Sequence, residues 1–104
     1  MSQISQFHIQ GPVLLTLNKY ADSRGFFTER YKDDYKKLLG VTTDFVQDNF
    51  SRSTKNVVRG LHMQHSPGQG KLVSCLNGKI LDVVVDIRKN SPTYGQHVSV
   101  VLNG

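Results

Sequence analysis

An Asn-Gly pair between two β-rich runs is the strongest short-range constraint in this chain. Asn77-Gly78 separates Lys71–Leu76 from Lys79–Ile87. A two-residue hairpin turn of type I′ needs positive φ at both central positions, and Asn-Gly meets that need at least steric cost. The pair therefore predicts a tight hairpin with arms over 71–76 and 79–87. In the second arm, alternation puts Leu81, Val83, Val85 and Ile87 on one face and Asp82 and Asp86 on the other. The apolar face reads as core. The other reads as solvent, or as a polar cavity inside a barrel.

The rest of the chain uses the same vocabulary. Val13–Leu17, Phe26–Tyr31, Phe45–Phe50, Val57–Gln64 and His97–Leu102 read as further strands. Asp22-Ser23-Arg24-Gly25 and Ser91-Pro92-Thr93-Tyr94-Gly95 read as turns, and Ser66–Gly70 as a loop. One segment departs from this pattern. Asp33–Gly40 has acids first, lysines later and glycine at the stop, which predicts a short helix over 33–39. No repeat, low-complexity tract or linker interrupts the pattern. A length of 104 residues holds one domain. Short strands with Gly and Asn turns predict an all-β, antiparallel sandwich or barrel.

Composition removes several classes of function. Hydrophobic residues make up 38% of the chain, a globular share once the 9 glycines are counted with them. No apolar stretch approaches the ~20 residues of a membrane-spanning helix. The first residues have no basic region followed by an apolar one, so no signal peptide is expected. The single Cys75 has no internal disulfide partner. It reads as a small buried hydrophobe in a reducing, cytoplasmic setting.

Charge points to a ligand class. The net charge is +5, and the excess is local. Between Asn49 and Leu81 there is no acid, while Arg52, Lys55, Arg59, Lys71 and Lys79 all fall there with His62 and His65. Such a stretch suits a phosphate-bearing ligand, although charge alone favours a solvated basic face. Aromatics are not interleaved with these cations as nucleic-acid stacking platforms require, so no nucleic-acid partner is expected.

Candidate chemistry gathers in the same region. Alternation places Gln47 and Asn49 on one face, where two amides suit hydroxyls or a nucleobase or simply face solvent. Arg59 and Leu61 alternate with His62 and Gln64. A bulge at Gly60 would turn Arg59 and His62 to one side. Arginine is a natural bidentate partner for phosphate, and histidine an acid or base near neutral pH. A lone histidine in such a run is more often structural. His62 and His65 lie three apart on a predicted strand, face opposite ways and have no carboxylate nearby, so no metal site is expected. No Gly-rich phosphate loop and no Ser-His-Asp order is present.

Five collinear motifs then carry a resemblance. They are Ser-Arg-Gly-Phe-Phe-Thr-Glu (23–29), Asp-Phe-Val-Gln-Asp-Asn-Phe-Ser-Arg-Ser (44–53), Val-Val-Arg-Gly-Leu-His-Met-Gln (57–64), Gln-Gly-Lys-Leu-Val (69–73) and Leu-Asp-Val-Val-Val-Asp-Ile-Arg (81–88). Ser-Pro-Thr-Tyr-Gly (91–95) follows. From about Gly11 onward the chain resembles the dTDP-4-dehydrorhamnose 3,5-epimerases. The resemblance implies a jelly-roll (cupin-like) homodimer without metal or organic cofactor. It implies dTDP-4-keto-6-deoxyglucose as substrate, in the pathway to dTDP-L-rhamnose. By resemblance, His62 is the base that removes a proton beside the 4-keto group, and Lys71 stabilises the enolate oxygen. Arg59 contacts the diphosphate or sugar. Gln47, Asp48 and Asn49 line the substrate site. Arg24, Phe27 and Glu29 fall in the nucleotide-binding motif, and Tyr20 stands where the family has a phenylalanine stacked on thymine. Asp82 is a polar residue inside the barrel.

The family's tyrosine acid, and the aspartate that pairs with its histidine, lie on strands beyond the matched region. The resemblance therefore implies an incomplete jelly-roll domain over 1–104, inactive by itself. Two alternatives to a fragmentary epimerase are a non-catalytic nucleotide-sugar-binding or dimerisation module and a basic nucleic-acid-binding β domain. The motif set disfavours the second of these.

Overall fold

Short runs rich in β-formers and broken by turn residues can pair only with partners that the turns bring back. In the computed structural model, which describes residues 2–104, three such pairs form. β1 (Gln3–Gln6) lies antiparallel to β2 (Val13–Thr16), β3 (Tyr20–Asp22) to β4 (Gly25–Phe27), and β5 (Lys79–Val85) to β6 (His97–Asn103). One helix, α1 (Asp34–Leu39), follows β4.

The β3–β4 hairpin turns where the sequence predicts. Asp22 Oδ1 accepts the Arg24 backbone N–H at 2.8 Å, an Asx turn that reverses the chain at Ser23-Arg24. The register pairs Asp22 with Gly25, Ala21 with Phe26 and Tyr20 with Phe27. β4 stops at Phe27 and does not run to Tyr31. Beyond it the chain is held by other groups. Thr28 Oγ1 donates to the Asn18 carbonyl at 2.6 Å, and Tyr35 Oη donates to the Glu29 carbonyl at 2.6 Å.

α1 forms within its predicted limits. Gly40 adopts φ of 69°, its N–H bonds the Lys37 carbonyl, and the Val41 N–H bonds the Lys36 carbonyl at 2.8 Å. This double closure satisfies carbonyls that the helix end would leave unpaired, and it needs a left-handed residue. Lys36 Nζ then ties the helix to Asp33 at 3.0 Å and to Asp44 at 2.6 Å. The Tyr31 ring packs edge-on against both Tyr35 and Phe45.

The Asn77-Gly78 hairpin does not form as predicted. Gly78 has the expected positive φ, 85°, but 71–76 is not a strand. β5 instead pairs over its seven residues with β6, from Lys79 opposite Asn103 to Val85 opposite His97. The ladder continues past its end, with the Gly104 N–H donating to the Gly78 carbonyl at 3.1 Å. A turn signal fixes only a local bend. Pairing also needs a run brought alongside, and 97–103 is the run that lies along β5. Likewise 45–50 and 57–64, expected as strands, form no ladder with any described segment. Val46 and Val58 are accordingly about nine-tenths exposed.

The core is also elsewhere than predicted. Among the described residues its buried apolar side chains are Ile9, Tyr35 and Val98, whereas Leu81 is 66% exposed. Asp86, expected on the solvent or cavity side, is buried. Its carboxylate accepts from the Arg88 backbone N–H and guanidinium and from the Ser91 and Thr93 hydroxyls. Those bonds close the turn between β5 and β6.

Candidate substrate site

The β3–β4 hairpin presents the first group of site candidates. Tyr20 and Phe27 are cross-strand partners, so their exposed rings share a face at the strand ends. Arg24 sits in the turn, where its Nη2 pairs with Asp22 at 2.6 Å. The Arg24 guanidinium holds the Asp22 carboxyl below its usual range. Below the hairpin lies a cleft of about 490 Å³. Tyr20 and Glu29 line it with Asn18, Lys32, Asp34 and Tyr35. Glu29 pairs with Lys32 at 2.7 Å, and this carboxylate raises the Lys32 ammonium above its usual value.

The unladdered segments carry the second group. Gln47 Nε2 donates to Asn49 Oδ1 at 3.1 Å, so the two amides share one side of the backbone, as alternation predicts. Asp48, between them, is exposed. Arg59 Nε donates to Ser53 Oγ at 2.9 Å, and its Nη2 donates to the Arg52 carbonyl at 3.3 Å. Gly60 is not a strand bulge, since 57–64 has no ladder, yet it does shape His62. Its φ is 97°. A Cβ built on it would lie 3.3 Å from His62 Nδ1 and 3.1 Å from the His62 nitrogen of the main chain. The imidazole therefore folds back over the glycine, into space that a side chain would fill.

Lys71 is exposed, and Asp82 is half-buried on β5 opposite Val100. Neither makes an ion pair among the described residues. The contacts thus bring together Tyr20 with Phe27 and Glu29, Gln47 with Asn49, and His62 with Gly60. They leave Lys71, Asp48 and Asp82 apart. Sequence reasoning missed the anchors Ser53 and Lys32. The signal for Lys32 is its spacing of three from Glu29. Ser53 carries no signal short of tertiary contact. No three His, Cys, Asp or Glu side chains come together as a metal site among the described residues. Among them, too, no helix is long and apolar enough to cross a membrane.

The chain is mostly strands with one short helix, and its likeness to solved sugar-nucleotide epimerases makes it a protein of the jelly-roll (cupin-like) kind. The crystal structure of dTDP-6-deoxy-D-glucose-3,5-epimerase from Legionella pneumophila, in complex with dTDP-4-keto-L-rhamnose, superposes with a TM-score of 0.95 at 50% identity. That match covers 100% of this chain and 56% of the other. A Bacillus anthracis dTDP-4-dehydrorhamnose 3,5-epimerase with TDP and PPi bound gives 0.90 at 40% identity, covering 99% and 60%. In sequence, the dTDP-4-dehydrorhamnose 3,5-epimerase of Salmonella typhimurium is 50% identical over 93 residues, which span 88% of this chain and 51% of that protein. The sequence pattern of the family described as dTDP-4-dehydrorhamnose 3,5-epimerase matches residues 6–104. The chain belongs to this family. It spans about half the length of the curated relatives it matches.

Proposed function

We propose that this chain carries the nucleotide-binding and proton-abstracting half of a dTDP-4-dehydrorhamnose 3,5-epimerase, an isomerase acting on dTDP-4-keto-6-deoxyglucose. The observation that supports this best is His62 folded over Gly60, one residue beyond an Arg59 whose guanidinium is anchored and, among the described residues, paired with no acid. A 4-keto group acidifies the protons on its neighbouring carbons. His62 takes one, the charge moves onto the ketone oxygen, and the Lys71 ammonium stabilises that oxyanion. Arg59 holds the diphosphate. Gln47, Asp48, Asn49 and Asp82 contact the sugar side, while Tyr20, Arg24, Phe27 and Glu29 hold the nucleotide. The Legionella and Bacillus relatives, crystallised with dTDP-4-keto-L-rhamnose and with TDP and PPi, support the nucleotide-sugar class.

Epimerisation also needs an acid on the opposite ring face, and residues 1–104 offer no group assigned to that role. The domain is read as the front part of one jelly roll, working as a cytoplasmic homodimer. The test is deuterium incorporation from solvent at C3 and C5 of the sugar. This 104-residue chain by itself is expected to exchange slowly and to invert neither centre. Loss of that exchange in His62→Ala supports the base assignment, and unchanged exchange removes it. Rapid inversion at both centres overturns the reading of an incomplete domain. A second reading, a nucleotide-sugar-binding module without catalysis, is favoured by the separation of Lys71 from the other candidates. It predicts dTDP binding with no exchange at all.

A further inference from the structure

The Arg59 guanidinium is engaged along one edge and free along the other. Nε and Nη2 form one fork of this planar group, and Ser53 Oγ and the Arg52 carbonyl occupy it. Of the five N–H donors, three remain, one on Nη2 and two on Nη1. The one on Nη2 and one of the two on Nη1 make the end-on fork, whose spacing matches two oxygens of a phosphate. No carboxylate pairs with Arg59 among the described residues. The cation therefore keeps its charge for a ligand.

An exposed arginine ordinarily samples many rotamers, and fixing it on binding costs affinity. Here that ordering is already made across the turn at Lys55-Asn56, where Asn56 takes a φ of 72°. Ser53 lies before the turn and Arg59 after it. Of the two anchors, the Arg52 carbonyl belongs to the main chain. Ser53 supplies the only side-chain acceptor on Arg59 among the described residues.

We propose that Ser53 is a positioning residue, orienting Arg59 so that its free fork meets the diphosphate of a nucleoside diphosphate. This rests on the reading of Arg59 given above. The test is a calorimetric titration of the chain with thymidine diphosphate, using Ser53→Ala, Ser53→Thr, Arg59→Ala and the Ser53→Ala/Arg59→Ala double variant. Removing one charge-assisted hydrogen bond is expected to weaken binding about tenfold in Ser53→Ala. Removing the cation itself is expected to weaken it about a hundredfold in Arg59→Ala. Ser53→Thr keeps the hydroxyl and restores affinity. The double variant binds no more weakly than Arg59→Ala, because Ser53 acts through the arginine. Wild-type affinity in Ser53→Ala beside a weakened Arg59→Ala overturns the positioning role alone. So does a Ser53 effect that persists without Arg59, or one that threonine fails to rescue. Absence of binding by the unaltered chain, or an unaffected Arg59→Ala, overturns the functional reading itself.

Discussion

Two residues show how a single side chain sets local behaviour. The Asp86 carboxylate is fully enclosed and takes five hydrogen bonds from Arg88, Ser91 and Thr93. The guanidinium, followed by the two hydroxyls, holds its carboxyl far below the usual carboxylate range. An unfolded aspartate has a pKa of about 3.9. The folded state therefore binds the proton less readily, and the contribution of Asp86 is fully present above about pH 4. It is lost as pH falls further. Urea midpoints measured from pH 7 to pH 2.5 should drop at the acid end, and Asp86→Asn should flatten that drop while lowering the midpoint at pH 7. Gly60 acts on one neighbour. In Gly60→Ala the methyl meets the His62 ring, and displacement of a base by about 1 Å can cost 10²-fold in rate. His62-dependent deuterium exchange should fall by about that factor while affinity for thymidine diphosphate holds. Exchange at the wild-type rate would mean that the imidazole does not need its observed place.

At the scale of elements, α1 is too short to stand on its own propensity. It is held by its cap and by what it packs on. The Gly40 cap needs a left-handed residue, and a Cβ there would meet nothing within 4 Å. Gly40→Ala should therefore cost only the conformational penalty, about 1–2 kcal/mol, and Gly40→Asn less. Tyr35→Phe removes the hydrogen bond to the Glu29 carbonyl but keeps the buried ring, so about 1 kcal/mol should be lost. Chemical denaturation of the two variants separates cap from docking. Glu29 and Lys32 lie just before α1 and line the cleft with its Asp34 and Tyr35, so loosening α1 should also open the cleft under Tyr20. The β5–β6 pair shows the opposite regime. A ladder of seven residues a side holds two strands that remain mostly exposed.

The whole molecule is loosely filled. Its radius of gyration is 15.3 Å, against about 13 Å for a compact domain near this length. Ile9, Tyr35 and Val98 are the buried apolar residues among those described, while Phe26, Phe27, Phe50 and Leu61 stay more than 60% exposed. Surfaces of that kind seek cover, and unpaired strand edges do the same. The chain alone should be marginally stable or self-associating. Sedimentation with thermal melting checks this, and a highly stable monomer would contradict it. Ile9→Ala, at a nearly fully buried site, should cost about 2–5 kcal/mol, and that is enough to unfold so small a core.

What the sequence determined by itself were the features with local causes. The β3–β4 turn follows from the Asp22 side chain and α1 from its charges and Gly40. The shared face of Gln47 and Asn49 follows from alternation, and family membership from collinear motifs. Only the tertiary structure decided which runs pair, where the core lies and what anchors the candidate site. β5 pairs with 97–103, and not with 71–76 beside it in sequence, because pairing depends on which run is brought alongside from elsewhere in the chain. Asp86 became buried through neighbours at Arg88, Ser91 and Thr93 that a face-counting rule ignores. Ser53 met Arg59 across a turn. Each of these is a contact between separated residues, and one-dimensional periodicity contains no distance between them.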